Sequence, residues 1–193
     1  LCNYDFPVDS RKSELRKRFR EEREFHHEAV DIESLRFEHL ISSREFLTAS
    51  VIASYVSYGT EPETRYINEE ILAQKKLLLI PRMLPDKDLE WVQWNGSREN
   101  LQLNGNHYEP LGDAYSGPID LVIVPALHVD RKGNRLGQGG GSYDRTLKGL
   151  NAWKIALVYA GELTSEEIPV ETHDRPVDAV ATPELLVRFT RQN

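Results

Sequence analysis

Between Asp130 and Arg145 the chain reads Asp-Arg-Lys-Gly-Asn-Arg-Leu-Gly-Gln-Gly-Gly-Gly-Ser-Tyr-Asp-Arg, and five of its twelve glycines fall between Gly133 and Gly141. The segment follows the apolar run 121–124 and precedes a helical pattern. Glycines let a backbone turn its N–H groups inward, and a helix N-terminus adds a positive dipole end, so the segment is suited to hold an anion. Gly137, Gly139, Gly140 and Gly141 are the expected phosphate-facing positions, flanked by Arg135 and Arg145. A valine at Gly140 is expected to block close approach of a phosphate and any left-handed backbone there. Two common motifs are excluded by spacing. No Gly-Lys-Ser/Thr end follows, so this is not a Walker A loop, and the third glycine of a dinucleotide fingerprint is missing. Ser142 also lacks the final glycine of a nucleophile elbow.

Other groups able to do chemistry are scattered. Lys12 and Arg16 share a face if their segment is helical. They suit phosphate, or else belong to a solvated basic face. Arg18 and Arg23 are expected off that face or beyond reach, with little effect on stability. Glu61 follows a strand pattern through Tyr58-Gly59-Thr60, at the end of a strand where open α/β sheets bind ligands. Its carboxylate can accept N–H groups of a heterocycle, or be an ordinary charge before a helix. Tyr58 can stack on a ring or simply pack. Asp144 and Asp178 are candidates for a hard cation, or a helix-end charge and a residue entering a strand. His173-Asp174 reads as a loop-fixing hydrogen bond rather than an acid–base pair. His26, His27, His39 and His107 show no ligand spacing, and Trp91, Trp94 and Trp153 read as packing residues.

These groups need elements to position them. Asp9 and Ser10 can cap a helix over 11–27, where seven of the 24 basic residues lie between Arg11 and Arg23. A second helix is expected over 32–47, with Leu35, Phe37, Leu40, Ile41 and Phe46 inward. Strands are expected over 51–56, 76–80 (stopped by Pro81), 89–94 as an edge, 119–124, 155–159, 179–181 and 185–189. Helices are expected over 66–73 and 142–150. The stretches 95–106 and 112–117 read as loops. The continuous apolar run 119–124 is typical of a parallel strand buried on both faces. Strands alternating with helices make this an α/β chain with a mostly parallel sheet.

The run Val-Pro-Ala-Leu-His-Val-Asp-Arg-Lys-Gly-Asn-Arg-Leu-Gly-Gln-Gly-Gly-Gly-Ser-Tyr-Asp-Arg, from Val124 to Arg145, resembles the signature of 5-formyltetrahydrofolate cyclo-ligases, also called methenyltetrahydrofolate synthetases. Lys12-Ser-Glu-Leu-Arg16, Glu61-Pro-Glu-Thr64, the strand ending at Pro81, Glu109-Pro110 and the segment 163–182 match further family patterns in order. The sequence departs from the pattern at His128, Val129, Gln138 and Ser142. The resemblance implies a single domain over 1–193, three-layer α/β/α with a mostly parallel sheet of the NagB/RpiA/CoA-transferase-like kind, with 1–9 poorly ordered. It implies ATP-dependent conversion of 5-formyltetrahydrofolate to 5,10-methenyltetrahydrofolate, with ATP as co-substrate and Mg2+ as the metal. It assigns Lys12, Arg16 and Arg135 to catalysis, and Lys12, Arg16, Gly137, Gly139, Gly140, Gly141 and Tyr143 to ATP. It assigns Tyr58, Glu61 and Arg135 to folate, and Asp144 and Asp178 to the metal. The chemistry is consistent with these parts. A formamide oxygen is a poor leaving group until a phosphoryl group is placed on it, after which N10 can attack the same carbon.

The chain of 193 residues, 39% apolar and 28% charged, is long enough for one well-buried core. Its net charge of −7 argues against nucleic acid as a partner. One cysteine, Cys2, excludes an intrachain disulfide and a cysteine-based zinc site. No apolar stretch approaches the ~20 residues that span a bilayer, and the N-terminal Leu-Cys-Asn-Tyr-Asp is not expected to act as a signal peptide. A cytoplasmic location without membrane contact, and a monomer or weak dimer, are the expectations. Two other readings remain: a folate- or nucleotide-binding protein without turnover, and a phosphosugar isomerase on a related scaffold using His173.

Overall fold

The computed structural model describes residues 8–27 and 36–190, so expectations for residues 1–7, Leu35 and the side chains of His26 and His27 lie outside it. Helix α1 (Val8–His27) already includes Val8 and Asp9, so Asp9 is a first-turn charge rather than a cap. Its buried positions are Lys12, Leu15, Phe19 and Arg23, spaced three, four and four apart. That is one helical face with two apolar residues between two cations. Leu15 and Phe19 pack on Leu127, Leu136 and Ile168.

The expected second helix is two short ones, α2 (Glu38–Ile41) and α3 (Arg44–Thr48). Ser43 breaks them, because its Oγ accepts the Phe46 N–H at 3.2 Å and starts α3 anew. Phe37, Leu40 and Phe46 are fully buried, as their pattern predicts.

The main sheet has seven strands. Five are parallel: β1 (Val51–Ala53), β2 (Leu77–Met83), β6 (Leu121–Pro125), β9 (Trp153–Leu157) and β11 (Ala179–Ala181). β3 (Leu89–Gln93) and β12 (Leu186–Arg188) close the edges antiparallel. The order is β12-β11-β9-β6-β1-β2-β3. Leu121 and Ile123 of β6 face one apolar layer, with α2, α3 and α4 (Arg65–Ala73), while Val122 and Val124 face the other, with Leu147 of α5 (Ser142–Leu147). Burial on both faces explains the uninterrupted apolar run.

Pro81 does not stop β2. Leu77 N–H and Leu79 C=O bond toward β1, at Ser50 and Ser54, so the odd residues of β2 face that side. β1 ends at Ala53, opposite Leu79, and the N–H that proline lacks therefore removes no ladder bond.

The stretch 95–106 is not a plain loop. A 3-10 turn (Arg98–Asn100) leads into a hairpin of β4 (Leu101–Asn104) and β5 (His107–Pro110), turning through Gly105 with φ of 60°. A third small sheet joins β10 (Leu163–Thr164), β7 (His128–Asp130) and β8 (Arg135–Leu136). It carries the glycine segment out of the main sheet toward α1.

Candidate functional site

β1 leads through α4 to β2 on one side, while its other neighbour, β6, leads to β9 on the opposite side, so the winding direction reverses between β1 and β6. Ligands of open α/β sheets bind at such a point, beyond the strands' C-terminal ends. A cleft of about 550 Å³ lies there. Val56 beyond β1, Pro81 and Met83 of β2 and Pro125 of β6 form its floor, and α1, the glycine loop and the β4–β5 hairpin form its walls. Lys12, Arg16, Tyr58, Glu61, Arg135, Gly137, Gly139, Gly140, Gly141, Tyr143 and Asp144 all line it.

Lys12 and Arg16 are not part of a solvated face. Lys12 is 4% exposed, and its Nζ donates to Glu171 at 2.8 Å and to Asp174 at 2.5 Å. Arg16 Nε donates to the Gly137 carbonyl at 3.2 Å, and Arg20 holds both the carbonyl and the side chain of Gln138. Arg145 reaches back to the Gly140 carbonyl while its Nε donates to Asp88 at 2.6 Å. Three arginines thus hold the loop's carbonyl oxygens. Gly139 (φ 110°) and Gly141 (φ 68°) take the left-handed conformations; Gly140 does not, and a side chain there would meet only the Ser142 hydroxyl, at ordinary contact distance. The expectation for Gly140 therefore moves to Gly139, where an added Cβ would lie 3.4 Å from Arg16 Nε.

Arg135 is 3% exposed in its side chain, and its Nη2 donates to Asp144 at 2.8 Å. Its buried Nε has no hydrogen-bond partner among the described residues. Asp144 also accepts the Arg175 N–H at 3.2 Å. Glu61 is 8% exposed and accepts the Tyr58 N–H at 3.3 Å. Burial raises its carboxyl to about 7, against the opposing pull of that N–H and of Arg23. Tyr143 is partly buried beside Glu61 and Arg135, and desolvation of its phenol pushes it well up.

Asp178 is not in the cleft. It precedes β11 at the N-terminal edge of the sheet, where its carboxylate accepts the Lys154 N–H at 2.8 Å. Asp120 does the same for Ser50 and Val51. Each carboxylate supplies an acceptor where the strand ladder has not yet begun. Glu171 and Asp174, unlike Asp178, share the cleft with Asp144. With His173 they form a cluster whose ligand atoms lie within 4.8 Å of one another. Burial alone would raise Asp174, but the Glu171 N–H and the Lys12 ammonium outweigh it and hold the carboxyl below its ordinary range.

A model of the 5-formyltetrahydrofolate cyclo-ligase family matches residues 8–183. The chain belongs to the 5-formyltetrahydrofolate cyclo-ligase family. The 5-formyltetrahydrofolate cyclo-ligase of Mus musculus is 31% identical over 157 residues, which are 73% of this chain and 77% of that protein. The Escherichia coli cyclo-ligase is 31% identical over 143 residues, covering 70% and 79%. Among solved structures, the Aquifex aeolicus 5,10-methenyltetrahydrofolate synthetase superposes with a TM-score of 0.78 at 27% identity, covering 94% of each chain.

Within this cyclo-ligase scaffold, the departure at His128 is a packing residue. Its ring stacks on Phe19 at 3.4 Å and 13°, and burial, then Arg23 and Arg18, push it down to about 3, so it stays neutral. The hairpin residues His107, Tyr108 and Glu109, to which sequence reasoning gave no site role, line the cleft, with His107 edge-on to Tyr58 at 4.1 Å. The two-residue turn Gly105-Asn106, with glycine first, is a recognised hairpin signal that locates them. Sequence reasoning missed that Arg23 is buried, 3% exposed. His173, the isomerase candidate, is 61% exposed in its side chain at the rim.

Proposed function

We propose that this chain catalyses the ATP- and Mg2+-dependent conversion of 5-formyltetrahydrofolate to 5,10-methenyltetrahydrofolate, releasing ADP and phosphate. The observation that carries the reading is one cleft, in a chain of this family, lined together by Lys12, Arg16, the glycine loop, Arg135, Tyr58 and Glu61.

The formyl oxygen attacks the γ-phosphorus as the bond to the ADP oxygen breaks. N10 then attacks the formyl carbon and gives up its proton, and the carbon–oxygen bond breaks to release phosphate carrying that oxygen. Such transfer depends on alignment and on stabilising spread negative charge. With its carbonyls held by arginines, the loop's N–H groups are the donors suited to phosphate oxygens. Lys12 and Arg16 supply positive charge beside them. Glu61, in its ionised form, accepts N–H groups of the pterin, and Arg135 orients the substrate through its buried guanidinium.

The cleft carboxylates are hard oxygen donors of the kind magnesium takes. Asp144 and Asp174 are the proposed ligands, with Glu171 beside them; Asp178 is excluded by its position. Bound there, the ion would supply charge neutralisation of the phosphates. No helix among the described residues is long and apolar enough to cross a membrane.

The reading is tested by omission. Methenyl formation should require folate, ATP and Mg2+ together. Folate binding without ATP consumption would favour a binding protein instead.

A further inference from the structure

Arg23 lies on the same face of α1 as Lys12, yet it is outside the cleft and plays no part in the chemistry above. Its guanidinium is nevertheless the most fully engaged group on the helix. Nε and Nη2 donate to the two oxygens of Glu162 at 2.7 and 2.6 Å, and Nη2 also reaches the carbonyls of Ala126 and Leu127 at 2.6 and 3.1 Å. Both carbonyls follow directly on Pro125 of the cleft floor. The Glu162 carboxylate also accepts the Tyr159 N–H at 2.8 Å, and its carbonyl accepts the Val129 N–H at 3.0 Å. Tyr159 then spans the gap to the other wall: its hydroxyl donates to the backbone carbonyl of Glu61 at 3.1 Å. The Arg23 guanidinium lies 5.5 Å from the Tyr159 ring centre.

We propose that Arg23, Glu162 and Tyr159 are positioning residues that tie the helix bearing Lys12 and Arg16 to the loop bearing Glu61, so that the nucleotide and folate halves of the cleft are held in one register. The inference rests on the reaction proposed above. A bidentate arginine–carboxylate pair fixes orientation as well as distance, which a lysine cannot do. Every link is a hydrogen bond between buried groups, so the register has little freedom to drift. If docking of α1 were the only task, the Arg23–Glu162 pair would suffice. The Tyr159 hydroxyl reaches further, and its acceptor belongs to a cleft residue.

Tyr159→Phe is the decisive variant, because it keeps the ring and deletes the hydroxyl that bonds to Glu61. With wild-type turnover established, KM for 5-formyltetrahydrofolate should rise about two- to tenfold, the loss of one neutral hydrogen bond, while KM for ATP stays unchanged. Glu162→Gln should raise both KM values. Arg23→Lys should restore the fold of an Arg23→Ala chain without restoring either KM. Direct folate binding, followed by tryptophan fluorescence without ATP, should weaken in Tyr159→Phe by the same factor. A folded Tyr159→Phe with both KM values and folate affinity unchanged overturns the inference and leaves the reaction standing. A wild-type protein without turnover overturns the reaction and this inference with it.

Discussion

The Nζ of Lys12 and a carboxylate oxygen of Asp174 meet at 2.5 Å across the cleft, although the two residues stand 162 positions apart in the chain. The contact brings the first helix and the penultimate loop to one point, beside the glycine loop. Lys12 balances Glu171 and Asp174 there, and in the proposed reaction the same ammonium would present charge to phosphate.

Lys12→Ala and Arg16→Ala should each reduce kcat/KM for ATP by about ten- to a hundredfold, since a charge-assisted hydrogen bond contributes roughly 1.5–3 kcal/mol. Arg18→Ala is the matched control. Arg18 is 46% exposed in its side chain and pairs with Glu22 and Glu166, so its removal should change ATP kinetics by less than about twofold. Kinetics with ATP varied separate these outcomes, and equal losses in all three would mean a general charge effect.

Arg23→Ala behaves differently from Arg18→Ala because of burial. Removing it leaves Glu162 uncompensated in the interior, and denaturant unfolding should show a loss of about 3–5 kcal/mol. A loss under about 1 kcal/mol would mean that the pair contributes nothing to holding α1.

Sequence alone located most of the cleft and none of this pairing. The glycine segment, Lys12, Arg16 and Glu61 stand in short motifs whose spacing carries meaning locally. The apolar run of β6 likewise announces a buried parallel strand. Asp178 reads as a metal candidate because residue type does not tell which end of a parallel strand a carboxylate occupies. Arg23 read as solvated because one helix can bury cations at both ends of an apolar stripe, provided distant carboxylates meet them. Pro81 read as a strand stop because the side to which its absent N–H points depends on where β1 ends.

Gly139→Ala should raise KM for ATP about tenfold or more, while Gly140→Ala should have a smaller effect. At φ of 110° an alanine is strained by about 1–3 kcal/mol, and its Cβ would come into contact with Arg16. Gly140 lacks both constraints. Circular dichroism establishes that each variant is folded, and equal ATP affinities would show that loop geometry is not what binds phosphate.

Asp144→Asn and Asp174→Asn should each raise the Mg2+ concentration needed for half-maximal turnover. Asp178→Asn should leave it unchanged, since its carboxylate serves Lys154 at the opposite edge of the sheet. A titration of Mg2+ at saturating ATP and folate is the measurement. A shifted requirement in Asp178→Asn alone would return the metal to the position expected from sequence.

Glu61 makes a prediction about pH. Its carboxyl stands at about 7 in the fold against 4.5 ordinarily, so the folded chain favours the protonated form. Stability from this group is fully present below about 4.5, and is lost as pH rises through about 7. The whole effect is worth roughly 3 kcal/mol at most. Glu61→Gln should therefore flatten the fall in stability between pH 5 and pH 8, measured by urea unfolding. Folate binding should show the reverse trend in the wild type, weakening below about pH 7 as the accepting carboxylate is protonated. An equally steep stability curve in the variant would remove Glu61 as its source.

The most direct test of the central claim uses 5-formyltetrahydrofolate labelled with oxygen-18 in the formyl group. Incubated with this protein and Mg-ATP, it should give the methenyl chromophore, one ADP per turnover, and inorganic phosphate carrying one labelled oxygen. Methenyl formation with unlabelled phosphate would contradict transfer of the phosphoryl group to the formyl oxygen, and no methenyl product at all would contradict the proposed function.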